Sequence, residues 1–103
     1  MKDLWLLPLL LCFADDPSSA GELSTCLGLP SSRTKTLIYY ARKAGYIKKK
    51  ENTYELTEKG KELVESFEVV ERKGKRLKVK GKDGCFLVFV RKRNVKVLRV
   101  PCS

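Results

Sequence analysis

Residues 19–60, SAGELSTCLGLPSSRTKTLIYYARKAGYIKKKENTYELTEKG, decide the fold. Ser19 and Glu22 have capping-box spacing: a hydroxyl that accepts a helix-start N–H, and a carboxylate three residues on. Gly28 follows this short helix where the backbone must turn left-handed. Ser31 is placed to cap a second helix over 31–44, with Gly45 after it. Tyr46–Lys49 and Thr53–Leu56 read as strands around Glu51-Asn52, a hairpin over 46–56, and Thr57 caps a further helix. Two short helices on a tight turn, with a hairpin behind, are a known way to seat one helix in a major groove.

Three pieces of this stretch carry a resemblance. They are Glu22-Leu23 with Leu27-Gly28-Leu29, then Ala44-Gly45-Tyr46-Ile47, then Tyr54-Glu55-Leu56-Thr57-Glu58-Lys59-Gly60. In this order and spacing they resemble the winged helix-turn-helix domains of prokaryotic transcription regulators, the MarR-, ArsR- and Lrp-like group. The resemblance covers about two thirds of the chain, counting a first helix before Ser19. It implies an α+β fold, with a three-helix core and a β-wing in residues 1–70. It further implies a regulator that places helix 31–44 in the major groove and wing 46–56 on the backbone or minor groove. It specifies neither operator nor effector.

Charge points the same way. Residues 1–68 hold ten Lys/Arg and ten Asp/Glu, so residues 69–103, with twelve and two, carry the whole net +10. Arg33 to Lys50 contains seven basic residues and no acid, and this block coincides with the expected groove helix and wing. Basic side chains that neutralise phosphates drive salt-dependent DNA binding. A plain solvated face is the bland alternative.

The groove helix can be read side chain by side chain. With Thr34 facing inward, Ile38 and Ala41 share its face and Leu37 lies at the margin. Ser32, Thr36, Tyr39, Tyr40 and Lys43 then face outward, with Arg33 and Lys35 near the first turn. Arg33 can reach guanine edges, and Thr36 and the tyrosines can meet bases or phosphates. Ser31 and Ser32 bring hydroxyls and helix-start N–H groups to a phosphate. Lys48, Lys49 and Lys50 on the wing suit the backbone or minor groove. One of the two tyrosines is expected to pack against the wing or a partner subunit.

The first fourteen residues, MKDLWLLPLLLCFA, admit two readings. One is a secretory signal cleaved at Ala14, which would leave a secreted small cationic protein. The other is the first core helix. Lys2 is offset by Asp3 and no A-x-A pattern occurs, which favours the core helix and a cytoplasmic protein. The run is too short to span a bilayer, so no membrane association is expected. Pro8 implies a late helix start or a kink.

Beyond the wing, Thr57 to about Val70 reads as a helix with Leu63, Phe67 and Val70 on one stripe. Residues 71–103 form a basic extension that reads as an antiparallel β-meander. Leu77 and Val79 alternate with cations, Asp83-Gly84 marks a hairpin, Phe86–Val90 is an apolar middle strand and Val95–Val100 a third. A homodimer is expected, because one groove helix reads one half-site. The Leu63–Phe67 helix or the Phe86–Val90 strand would supply the contact.

Centring the last hairpin on Arg93-Asn94 opposes Leu87 to Val100 and Cys85 to Cys102. As a non-hydrogen-bonded pair, the two cysteines would have Cα atoms about 4.5 Å apart. Cys85 and Cys102 are then either a disulfide or a pair of adjacent thiols. Cys12 and Cys26 read as buried small hydrophobes. No C-x-x-C pair occurs, so no zinc site is expected. The chain has no histidine, which removes imidazole acid–base chemistry and His metal ligands, and it has no glycine-rich phosphate loop. No catalytic residue, metal or cofactor is therefore expected, and the partner is double-stranded DNA. An architectural or RNA-binding protein on the same fold is the nearer alternative. The absence of glutamine, with only two asparagines and 33% charged residues, leans toward a thermophile.

Overall fold

The structure is a computed structural model that describes residues 3–13, 16–92 and 94–102. It contains helices and strands arranged with two antiparallel sheets. The apolar run near the start turns inward. Leu4–Leu6 form a 3-10 turn, and helix α1 follows over Leu7–Leu11. Pro8 sits in the first turn of α1, where its missing N–H breaks no helical bond, so the helix starts late as Pro8 implied. Leu4, Leu6, Leu7, Leu9, Leu10 and Phe13 are each at most 2% exposed. Ala14, the cleavage edge of the secreted reading, lies outside the described residues.

Helix α2 spans Ala20–Leu27 and carries the expected capping box: the Glu22 N–H donates to Ser19 Oγ, and the Ser19 N–H donates to Glu22 Oε1. The Ser19 N–H, helped by its hydroxyl, holds the Glu22 carboxyl below its ordinary pKa. Gly28 ends α2 at φ 67°, the left-handed conformation that glycine adopts without strain. Helix α3 covers Ser31–Lys43. Its N-cap is Pro30 and not Ser31, which is the first helical residue and makes no capping bond. Pro30 takes this role because its extended ψ delivers its carbonyl to the N–H groups of Arg33 and Thr34.

Strands β1 (Ile47–Lys50) and β2 (Thr53–Leu56) pair around Glu51-Asn52, with Glu51 at φ 58°. Thr57 then caps helix α4, accepting the Gly60 N–H. That helix stops at Glu65, short of the expected Val70. Strand β3 occupies Phe67–Lys73 and runs across position 70, where the winged-helix unit was expected to end. The Leu63–Phe67–Val70 spacing suits a helix, but Phe67 and Val69 also suit a strand facing Gly81 and Val79. Tertiary pairing decides between the two. An added Cβ on Gly81 would strike the Phe67 ring, so this glycine makes the pairing possible.

Strands β4 (Arg76–Gly81), β5 (Gly84–Val90) and β6 (Val95–Val100) complete a sheet in the order β3-β4-β5-β6. Gly81 pairs with Gly84, so the β4–β5 turn is Lys82-Asp83, one residue earlier than Asp83-Gly84. Val90 pairs with Val95, so residues 91–94 connect β5 to β6. Arg93, on which the expected turn was centred, is outside the described residues. Leu87 therefore opposes Leu98, and Cys85 opposes Val100, two residues off the expected register. A slip of two preserves the face of every side chain. Cys85 and Cys102 stay on one side, and they form the disulfide with Cα atoms 5.2 Å apart.

Two cores result. One gathers Leu6, Leu9, Leu10 and Phe13 with Leu23, Leu27, Leu37, Ile38, Ala41 and Ile47. The other gathers Leu4 and Leu7 with Phe67, Leu77, Val79, Phe86 and Val88. Leu63, Val64 and Val95 touch both. Cys12 and Cys26 are not buried thiols: they form a second disulfide that joins the end of α1 to α2. Cys26 is exposed, so apolar packing is not its role.

Protein purified without reductant is expected to show no free thiol after denaturation, and four after reduction, its full cysteine count. Replacing Cys12 and Cys26 with Ser should lower the unfolding free energy by about 3 kcal/mol, the entropy of opening so short a loop. Denaturant unfolding of the oxidised chain and the double variant measures this. Equal midpoints would show that the bridge restrains nothing.

Candidate nucleic-acid interface

Helix α3 has two unlike faces. Thr34, Leu37, Ile38 and Ala41 are buried, as the helical period required, and the Thr34 hydroxyl donates to the Pro30 carbonyl at 3.2 Å. Ser31, Ser32, Arg33, Lys35, Thr36, Tyr39, Tyr40 and Lys43 are all exposed. The Thr36 hydroxyl donates to the Ser32 carbonyl at 3.1 Å, which commits its proton within the helix and leaves its oxygen able to accept.

The tyrosines divide their roles. Tyr40 meets the ring of Trp5 edge-on, with centroids 5.6 Å apart, so it packs on the N-terminal segment and not on the wing. Tyr39 stands edge-on to Tyr40 at 5.2 Å and is 58% exposed, against 44% for Tyr40. The Lys43 ammonium lies 5.9 Å from the Tyr39 ring. Trp5, Tyr40, Tyr39 and Lys43 thus form one ladder along the open face. The part played by Trp5 was not legible, because thirty-odd residues of chain separate it from Tyr40.

On the wing, Lys48 faces Glu55 across the ladder and pairs with it at 3.3 Å. An exposed pair of this kind contributes at most about 1 kcal/mol, but it offsets the Lys48 charge. Lys49 and Lys50 make no such pair among the described residues, and they sit next to the turn. The Arg42 guanidinium lies 6.0 Å over the Tyr54 ring of β2.

The C-terminal sheet also reaches this region, which the sequence did not indicate. A cleft of about 130 Å3 lies between α3 and the β5–β6 connection, lined by Arg33 and Thr36 on one side and Arg91 and Asn94 on the other. Trp5, Leu29 and Leu37 form part of its wall. Arg33 is therefore at the junction of α3 and the sheet, not alone on an open helix.

Tyr46 fixes where the wing leaves the helix. Its N–H donates to the Ala41 carbonyl, and its hydroxyl donates to Asp3 Oδ2 at 2.5 Å. The Lys59 ammonium lies 5.0 Å over the ring and donates to the Ala44 carbonyl at 2.7 Å. Gly60 of α4 packs so close to the Tyr46 carbonyl that a Cβ there would collide with it. Helix end, wing base and first segment are thereby held in one junction.

Residues 9–75 match the winged helix-turn-helix family, and the protein belongs to it. No characterised protein matches the chain closely enough to name a relative.

Burial pushes the Tyr46 pKa up to about 12, with the hydrogen bond to Asp3 and the Asp3 charge adding to the effect. In the unfolded chain this phenol ionises near pH 10 (about its ordinary value). The stability it contributes is complete below about pH 10 and is lost as pH rises toward 12. Ultraviolet titration should show one of the four tyrosines ionising late, and Tyr46→Phe should abolish that late step. A late step that survives in Tyr46→Phe would assign it elsewhere.

Proposed function

We propose that the protein binds double-stranded DNA with α3 in the major groove and the β1–β2 wing on the backbone or minor groove. In this role the protein acts as a transcription regulator of the MarR-, ArsR- or Lrp-like kind. One observation carries it. The face of α3 opposite the buried Thr34–Ile38–Ala41 stripe is open, polar and basic, and residues 33–50 contain no acid. Such a face suits hydrogen bonds to base edges and phosphates and has no negative charge to repel them.

The roles follow exposure. Arg33 and Tyr39 are the base-reading candidates on α3, with Thr36 beside them. Tyr40, supported by Trp5, holds Tyr39 in place. Ser31, Ser32, Lys35 and Lys43 meet phosphates, as do Lys49 and Lys50 on the wing, with Lys48 a weaker contact because of Glu55. A cytoplasmic site of action is part of this proposal. It is supported by the burial of Leu4–Phe13 in both cores, which cleavage near residue 14 would empty. Two disulfides are unusual in that compartment, and the proposal therefore includes a hyperthermophilic host, whose intracellular proteins are the known exception.

Binding to a random duplex library, followed by salt titration on a selected site and on bulk DNA, tests the reading. Arg33→Ala and Tyr39→Ala should lower specific binding more than nonspecific binding, by about 1–3 kcal/mol for Arg33. Lys49→Ala should weaken both alike and lower the salt slope by about one. A specificity ratio unchanged in Arg33→Ala would remove that residue from base readout. Duplex RNA that outcompetes DNA of equal length would favour the RNA-binding alternative, since its deep narrow groove does not admit a helix.

The working unit is proposed to be a two-fold dimer, because one α3 reads one half-site. Its contact is proposed to lie elsewhere than on the two expected elements. Phe86–Val90 has strands on both sides, and Phe67 is buried in β3. The sheet edges are β3 and β6, and Leu98 on β6 is 48% exposed. Sedimentation at micromolar concentration should show a dimer with an operator duplex. A single copy per duplex at saturation would rule the dimer out.

A further inference from the structure

The family match ends at residue 75, yet the sheet beyond it is docked against the helix-turn-helix. The Lys75 ammonium donates to the carbonyl of Gly28, the turn between α2 and α3, at 3.0 Å. On the neighbouring strand pair, Val90 joins the core that holds Leu29 and Leu37. Arg91 and Asn94 then share a cleft with Arg33 and Thr36. In an antiparallel sheet of this order, the β3–β4 and β5–β6 connections lie at one end and the β4–β5 turn at the other. It is the end with two connections that meets α3.

That end is also where the cations gather. Arg72, Lys73, Lys75, Arg76, Arg91 and Lys92 are all exposed there, with Glu71 as the acid on the same strand ends. Among the described residues none of the six cations is in a salt bridge. At the far end, Lys80, Lys82 and Arg99 are accompanied by Glu68 and Asp83, and the Arg99 guanidinium donates to the Asp83 carbonyl at 2.6 Å. Protection of sheet edges explains lysines along an outer strand. It does not explain Lys75, Arg91 and Lys92, which lie in connections. Nor does it explain why Arg33 of α3 and Arg91 of the β5–β6 connection, two like charges, line the same cleft, with the Arg91 guanidinium 5.9 Å from the Phe89 ring.

We propose that this end of the sheet is a second contact for the DNA backbone, with Arg91 and Lys92 as its phosphate ligands. This rests on the reading of α3 as the groove helix. The wing leaves the C-terminal end of α3 at Ile47, and the sheet meets its N-terminal end at Arg33. A thirteen-residue helix is roughly 20 Å long, so the two basic elements bracket it. The duplex is then held on both flanks of the groove. The extension thus lengthens the footprint past what the family's own helix and wing would cover.

The test is anisotropy of a labelled duplex under salt titration, with the oxidised full chain. Each phosphate contact adds about 0.9 to the slope of log K against log salt. Arg91→Gln with Lys92→Gln should therefore lower the slope by about two, with about a tenfold or greater loss of affinity at moderate salt. Lys80→Gln with Lys82→Gln, at the far end, should leave it unchanged. The charge-preserving pair Arg91→Lys with Lys92→Arg should restore the wild-type slope, and thermal midpoints report that each variant folds. If the Arg91/Lys92 variant keeps the wild-type slope while Lys49→Ala lowers it, the second contact is wrong and the helix-and-wing reading stands. An equal fall in the Lys80/Lys82 variant would also overturn it, by showing a general charge effect. Wild-type protein that binds no duplex would end both readings.

Discussion

Both halves of the molecule depend on the burial of one short segment. Leu6, Leu9, Leu10 and Phe13 fill the core behind α2 and α3, while Leu4 and Leu7 fill the core under the sheet. Each such side chain removed from water contributes on the order of 1.5–3 kcal/mol. The segment is too short to form a stable helix alone, so packing and not propensity holds it. The Cys12–Cys26 bridge ties its end to α2. The consequence is mechanical. With the segment shared, the sheet and the helix-turn-helix are built on common side chains, and Leu63, Val64 and Val95 close the seam between them.

The same segment shapes the interface. Trp5 lies between the two buried leucines Leu4 and Leu6 and turns its ring toward Tyr40. Tyr39 then stands on Tyr40, and an aromatic ladder rises from the core to the open face of α3. Asp3 accepts the Tyr46 hydroxyl and so helps set the angle at which the wing leaves. The groove-reading role proposed for α3 requires that it be held to a fraction of an ångström, and rigid supports of this kind suit that requirement. The positions of α3 and wing are thus consequences of core packing.

The helix-turn-helix was legible because its signals are local. Ser19 and Glu22 satisfy each other's backbone three residues apart, Gly28 must turn left-handed, and Thr34, Ile38 and Ala41 repeat at the helical period. The wing was legible for the same reason, as a two-residue turn between short strands. The C-terminal sheet was legible in part. Alternation at Leu77 and Val79 showed a strand, but Phe67–Val70 fits both a helical stripe and a strand, and the pairing of Phe67 with Gly81 lies fourteen positions away.

Sequence alone therefore determined the two-faced helix, its capped neighbour and the wing, since each follows from residues within a few positions of one another, and the uneven charge, which is a sum that needs no fold. Tertiary structure decided the rest. A two-residue slip in the β5–β6 register leaves every side chain on the same face, so no apolar pattern can detect it, and Cys85 reaches Cys102 in either register. Cys12 meets Cys26, and Arg91 comes to line a cleft with Arg33, only because the N-terminal segment is buried in both cores at once. Such meetings depend on how separate elements pack, and hydrophobic burial, being non-directional, writes no partner into the local sequence.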